Sequence, residues 1–370
     1  MIGLIKSSKK ALLVPILALS LGLASCGGGG GGGTGEGTAP SQQTGGGTST
    51  SGGGGGGSKA SLTGAGASFP APLYQRWFSE YNKINPGVQV SYQSVGSGAG
   101  VEQFTQETVD FGASDVAMTD EEMAKVARGV VLLPMTAGSI VIGYNLPGVE
   151  KLNLTRQAYA DIFLGKITKW NDPAIADANP GVQLPDEPIT VVYRSDGSGT
   201  TGVFTQHLSA INEGWKNSVG EGKTVEWPTG IGAKGNEGVT AQILQTEGSL
   251  GYIEYGYAEQ QGIATASIEN QAGKFVEPTS ETAANALAAV ELPANLRAFI
   301  TDPGGDNSYP IVTYTWILAY KDFDDAKLPA FKEVITWALE DGQGISEELG
   351  YIPLPENVVT KVKAALETIQ

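Results

Sequence analysis

The chain is 370 residues long, sets 23 Lys and Arg against 39 Asp and Glu for a net charge of −16, and holds one Cys and one His. A lone Cys26 excludes a disulfide scaffold, and with only His207 beside it no zinc set is credible. So acidic a chain is a poor partner for nucleic acid, while a hydrophobic fraction of 41% supports one or two compact domains.

Taken in order, the chain opens with Lys6, Lys9 and Lys10, followed over residues 11–25 by an apolar run too short to span a bilayer comfortably. Residues 1–25 therefore read as an export leader. They run into Leu23-Ala24-Ser25-Cys26, which resembles the bacterial lipobox, so Cys26 is expected to carry a lipid anchor. The chain is then exported and held at the periplasmic or cell-surface side of a bacterial membrane; firm attachment takes more than one acyl chain. After Cys26, residues up to 58 are almost wholly Gly, Ser, Thr and Gln, a composition that cannot bury a core. As a tether this segment has a reach of roughly 30 Å.

The body starts near Lys59. Val88–Tyr92, Ser139–Tyr144, Ile189–Tyr193, Gly251–Ile253 and Thr313–Tyr320 read as strands, being rich in Val, Ile and Tyr. Pro72–Ile84, Val101–Thr108, Arg156–Phe163, Thr200–Ile211, Asn236–Gln245, Phe331–Glu340 and Pro355–Thr368 read as helices, and Thr119-Asp120-Glu121-Glu122 as a capping box opening another. The alternation predicts an α/β fold with largely parallel sheets. Ser139–Tyr144 and Thr313–Tyr320 are the natural places for the chain to leave one lobe and return to it. The six Trp show no stacking pattern and read as packing residues.

Three glycine- and hydroxyl-rich loops each lead into a predicted helix: Thr63-Gly-Ala-Gly-Ala-Ser68-Phe69-Pro70, Gly96-Ser97-Gly98-Ala99-Gly100, and Arg194-Ser-Asp-Gly-Ser-Gly-Thr-Thr201. A helix N-terminus exposes free N–H groups and a partial positive charge, glycine lets backbone approach an anion, and hydroxyls add donors. One such loop is usually only a cap and a turn; three, one of them with Arg194, point to a small oxyanion. No Gly-x-x-x-x-Gly-Lys-Ser/Thr and no Gly-x-Ser-x-Gly occurs, and any Ser–His scheme must use His207 on a predicted helix.

Asp115 is the informative acid. Alone it reads as a cap or turn residue, but in an anion site a carboxylate helps only by accepting a hydrogen bond from a ligand that still bears a proton. Phosphate has that proton at neutral pH and sulfate does not. Arg194 is expected to donate to the anion, with Asp196 holding its guanidinium in orientation. A phosphatase or phosphotransferase on the same pocket, or a receptor for another oxyanion such as sulfate, stays open on this reading.

The loops, together with Asp110-Phe-Gly-Ala-Ser-Asp115, Asp161-Ile-Phe-Leu-Gly-Lys-Ile-Thr-Lys-Trp-Asn171 and Gly248-Ser-Leu-Gly-Tyr-Ile-Glu-Tyr-Gly-Tyr-Ala258, resemble the periplasmic phosphate-binding proteins (PstS family) of the bacterial high-affinity phosphate ABC transporter. That resemblance implies the two-lobed periplasmic-binding-protein fold (type II), with lobe I at 59–137 plus 311–370 and lobe II at 138–310. It implies a phosphate site of Ser68, Phe69, Ser97 and Asp115 from the first lobe and Arg194, Ser198, Gly199 and Thr200 from the second, with no catalytic residue, metal or cofactor. The implied partners are inorganic phosphate as HPO4 or H2PO4 and the membrane permease subunits of the transporter, met by a monomer that is not an enzyme.

Overall fold

A computed structural model describes residues 59–370; the expected leader, Cys26 and the Gly-rich tether lie outside them. The strands in chain order are β1 (Ala60–Gly66), β2 (Val88–Ser94), β3 (Phe111–Ser114), β4 (Val130–Asn145), β5 (Asn153–Leu154), β6 (Thr190–Arg194), β7 (Ile231–Ala233), β8 (Ser249–Glu254), β9 (Ala264–Thr265), β10 (Ser267–Glu269), β11 (Phe275–Val276) and β12 (Val312–Tyr320). The large sheet runs β2-β1-β3-β12-β4-β8-β6-β7, with β9 also on β4, and β11-β10-β5 form a small one.

One long strand joins the two halves of the large sheet. Residues 130–139 of β4 pair with β12, and from Ile140 to Asn145 the same strand pairs with β8. At the crossing, the Ile140 N–H donates to the Ile311 carbonyl at 2.9 Å. The expected parallel pairing holds within each half, for β1 with β2 and β3, and for β6 with β7 and β8. It fails at the centre, where β12 is antiparallel to both β3 and β4, and β4 in turn to β8 and β9. The reason is connectivity: β4 carries the chain out of the first half and β12 brings it back, so they run in opposite directions.

Sequence patterning places the helices within a few residues. Arg156–Phe163 is a helix over the expected span, Thr200–Ile211 begins one residue earlier at Gly199, and Val101–Thr108 is instead Ser97–Thr105. The capping box forms: Glu122 N–H donates to Thr119 Oγ1 at 3.2 Å, and Thr119 N–H to Glu122 Oε2 at 2.9 Å. Trp77, Trp170, Trp215 and Trp316 are fully buried in the core.

The first glycine loop needs correction. Thr63–Gly66 is the end of β1, not loop, and its glycines serve packing. A Cβ on Gly64 would stand 2.1 Å from the Phe111 ring, and one on Gly66 would stand 2.2 Å from the Ala113 carbonyl. The turn that leads to the helix Ala71–Ile84 is confined to Ala67–Pro70.

Candidate anion-binding site

The ends of β1, β3 and β6 and the helix starts after Gly96 and Ser198 converge where the two halves of the sheet face each other. From the first half come Ser68, Phe69, Ser97 and Asp115, and from the second Arg194, Ser198, Gly199 and Thr200; all are buried. All eight expected residues lie on the elements that meet here.

Ser68 and Phe69 sit in the turn after β1, and tyrosines fix their peptides. Tyr257 donates its hydroxyl to the Ser68 carbonyl and Tyr351 to the Phe69 carbonyl, each at 2.7 Å. Because a trans peptide sets N–H opposite C=O, the grip on the Ser68 carbonyl also fixes the direction of the Phe69 N–H.

Ser97 opens the helix Ser97–Thr105, and its Oγ accepts the Asp115 N–H at 3.3 Å. Asp115 directly follows β3 and caps no helix. Its Oδ1 accepts the Thr315 hydroxyl at 2.9 Å, while Oδ2 lies 3.5 Å from Ser97 Oγ. Burial pushes this carboxyl up to about 7, against the opposing pulls of Thr315, Arg194, Ser97 and Lys223. From sequence it reads as a plain carboxylate; burial moves its titration to near neutrality.

Arg194 ends β6 and is almost fully buried. Its Nε donates to Asp196 Oδ1 at 2.8 Å and its Nη2 to Oδ2 at 2.6 Å, the expected orienting pair. Burial works to raise the Asp196 carboxyl, but the bonds and charge of Arg194, with the Gly235 N–H, overcome it and hold it below its ordinary range. With both Asp196 oxygens engaged, Nη1 is left to face Thr200 Oγ1 at 3.4 Å.

Ser198 is the N-cap of the helix Gly199–Ile211, its Oγ accepting the Thr201 N–H at 3.0 Å. Helix geometry gives the Gly199 and Thr200 N–H groups no intrahelical acceptor, so this end presents donors and the positive end of the helix dipole. The halves touch here: Gly98 N–H donates to the Gly197 carbonyl at 2.8 Å, and Lys223 Nζ donates to Glu122 Oε1 at 2.7 Å.

Sequence reasoning missed several partners. Asn236 was visible only as a helix start, yet its side chain reaches both Ser68 and Thr200. Tyr257 lies inside the Gly248–Ala258 motif; Thr315, Tyr351 and Lys223 carry no local signal. His207 takes no part: its Nε2 lies 2.7 Å from the Tyr159 hydroxyl, and burial lowers it to about 4. A groove of about 810 Å³ lies elsewhere, between Val130–Leu132 and Glu291–Arg297, and is mostly apolar.

Residues 36–341 match the family model described as a PBP superfamily domain. The chain is 45% identical over 313 residues to the phosphate-binding protein PstS of Pasteurella multocida (strain Pm70), covering 83% of this chain and 90% of that protein. The chain belongs to the PstS family. It is also 40% identical over 320 residues to the phosphate-binding protein PstS of Methanocaldococcus jannaschii, covering 79% of this chain and 82% of that one. Among solved structures, a high-affinity periplasmic phosphate-binding protein crystallised with phosphate at pH 8.5 superimposes with a TM-score of 0.68, at 20% identity over 82% of this chain and 93% of that one. This PstS-family chain thus has the two-lobed periplasmic-binding fold.

Proposed function

We propose that this chain binds inorganic phosphate, as HPO4 or H2PO4, in the cleft between its lobes and delivers it to the permease subunits of an ABC transporter. The observation that carries this reading is the position of Asp115. It is a buried acid whose Oδ2 lies beside Ser97 and against Gly199 of the other half, among residues that offer donors, Ser68, Ser97, Arg194, Ser198 and Thr200, while the nearby Asp196 is spent on Arg194. The family relationship supports the same ligand, since its relatives are named as phosphate-binding proteins.

Lobe I is taken as 59–137 plus 311–370 and lobe II as 138–310, a division supported by the switch of β4 from β12 to β8 between Ser139 and Ile140. The ligand groups are Ser68, Phe69, Ser97 and Asp115 on one lobe and Arg194, Ser198, Gly199 and Thr200 on the other. Phosphate wrapped from both sides favours the closed form in proportion to its preference for it. The protein acts as a monomeric receptor, exported and anchored through Cys26, and its role is binding and hand-over without chemistry on the ligand. Calorimetry with phosphate, arsenate and sulfate tests the reading: one phosphate per chain, with arsenate competing and sulfate failing, is expected. Equal binding of sulfate would sink it, and turnover of phosphate esters would move the protein to the enzyme class.

A further inference from the structure

The cleft hydroxyls face a problem that their positions alone do not solve. A Ser or Thr hydroxyl both donates and accepts, and a bound oxyanion offers mainly acceptors. A hydroxyl free to rotate spends part of its time with a lone pair aimed at the anion. Ser198 avoids this, because its Oγ already accepts the Thr201 N–H of its own helix at 3.0 Å, which leaves its proton free for the ligand.

For Ser68 and Thr200 the same service comes from one residue outside the expected site. Asn236, fully buried near the start of the helix Gly235–Gln245, donates its Nδ2 to Ser68 Oγ at 2.9 Å and to Thr200 Oγ1 at 3.2 Å. Its backbone N–H also donates to Ser68 Oγ, at 3.0 Å. The direction of the amide is not free. Asn236 Oδ1 accepts the Glu254 N–H at 3.0 Å, and a backbone N–H can only donate, so the oxygen must face β8 and the nitrogen must face the hydroxyls. Ser68 Oγ thereby has both lone pairs filled. Thr200 Oγ1 accepts from Asn236 and faces Arg194 Nη1 at 3.4 Å. Neither oxygen has spare acceptor capacity, and the proton of each is left to point away from Asn236.

We propose that Asn236 is a positioning residue that turns the Ser68 and Thr200 hydroxyls into obligate donors to the bound oxyanion, and that lobe closure is what completes it. The inference rests on phosphate being the ligand, as set out above. Ser68 lies on the first lobe and Asn236 on the second, so the two bonds into Ser68 exist only when the cleft is shut. In the open form Ser68 is a free rotor, and on closing it becomes an oriented donor. Thr200 shares a lobe with Asn236 and is ordered in both forms. Order runs outward from the Glu254 N–H at the end of β8, through one amide, to two hydroxyls on opposite lobes.

The test is a set of phosphate titrations by calorimetry on the full chain: wild type, Asn236→Ala, Asn236→Asp, Ser68→Ala and the Asn236→Ala/Ser68→Ala double variant. Asn236→Ala should weaken phosphate about tenfold, which is about 1.4 kcal/mol. Asn236→Asp keeps the size and the acceptor for Glu254 but gives the hydroxyls an acceptor to turn towards, and should weaken phosphate by roughly a hundredfold or more, about 2.7 kcal/mol. The Ser68→Ala penalty should shrink at least about threefold once Asn236 is gone, because the hydroxyl is then no longer ordered. A merely structural Asn236 would give independent, multiplying penalties. Should a variant not fold, the wild-type side-chain amide resonances of Asn236 carry the test: they should shift and gain protection from solvent exchange when inorganic phosphate closes the cleft. Multiplying penalties, an Asn236→Asp variant that binds within twofold of wild type, or amide resonances indifferent to phosphate would each overturn the proposal. A wild-type chain with no phosphate isotherm would instead remove the phosphate reading, and the proposal with it.

Discussion

Gly199 lies against Asp115 so closely that a Cβ added to it would stand 2.7 Å from Asp115 Oδ2 and 2.4 Å from Ser97 Oγ. The first residue of one lobe's helix thus abuts the two groups of the opposite lobe that are proposed to hold the anion. A helix N-terminus can deliver its N–H groups to a small ligand only if nothing projects between them.

Gly199→Ala should therefore damage binding more than folding. The added methyl meets two buried polar atoms on the other lobe, and overpacking of this kind costs about 1–3 kcal/mol. Phosphate affinity should drop between about fivefold and a hundredfold, with the melting temperature of the ligand-free protein nearly unchanged. Paired titration and thermal melts decide it. An unaltered affinity would mean that the lobes need not approach this closely to bind.

Arg194→Ala removes the buried cation that Asp196 orients, and leaves the partly buried Asp196 with the Gly235 N–H but without its cationic partner. Loss of one member of a fully buried pair costs about 3–5 kcal/mol, and the partly solvated Asp196 should bring the cost below that. Phosphate binding should weaken by at least about a hundredfold, sulfate should gain nothing, and stability should fall as well. Competition titrations and a denaturation curve separate the two effects.

The raised Asp115 carboxyl makes selectivity depend on pH. Below about 7 the acid carries its own proton and can donate to sulfate; above it, the carboxylate meets sulfate with unpaired charge. Sulfate affinity should therefore rise as pH falls from 8 to 6, by up to roughly tenfold in total, steeply above 7 and levelling off below it. Phosphate brings a proton or finds one on Asp115, so its affinity should change little. A phosphate-to-sulfate ratio constant from pH 6 to 8 would contradict this.

Glu254 gives a separate stability prediction. Its carboxyl is fully buried at the end of β8, Oε1 accepts the Gly256 N–H at 2.8 Å, and burial holds it well above the ordinary carboxyl range. A carboxyl raised on folding keeps a proton that the unfolded chain gives up above about 4.3, so its stabilisation is full below that pH and is lost as pH rises towards the folded value. Asp115 acts in the same direction up to about 7. Glu254→Gln should raise the melting temperature at pH 8 by at least about 3 °C and leave it nearly unchanged at pH 5. Equal shifts at both pH values would show that Glu254 does not titrate in this range.

How far the sequence reveals these features depends on whether the signal is local. The three loops were legible because glycine and hydroxyl residues before a helix have a local meaning, and Arg194 and Asp196 share one of them. Asn236 was not, because its partner Ser68 lies 168 residues away and an Asn at a helix start reads as a cap. The strand β1 is hidden because Gly64-Ala-Gly66 offers no β-branched or aromatic side chain; pairing to β2 and β3 and the Phe111 ring over Gly64 make it a strand. In β4 only Ser139–Tyr144 reads as strand, although the pairing starts at Val130. The ladder passes Pro134 at an irregularity, where Thr315 faces Thr136 and Trp316 faces Pro134.

The role of Asp115 is tested most directly by competition titration of phosphate against sulfate, on wild type and on Asp115→Asn, at pH 8. There the wild-type carboxylate should reject sulfate, while the amide of the variant can donate as well as accept. Each 1.4 kcal/mol of rejection removed is about a tenfold change in the ratio. Phosphate binding should survive in Asp115→Asn with the phosphate-to-sulfate ratio reduced by at least about tenfold. An unchanged ratio would show that Asp115 is not the filter.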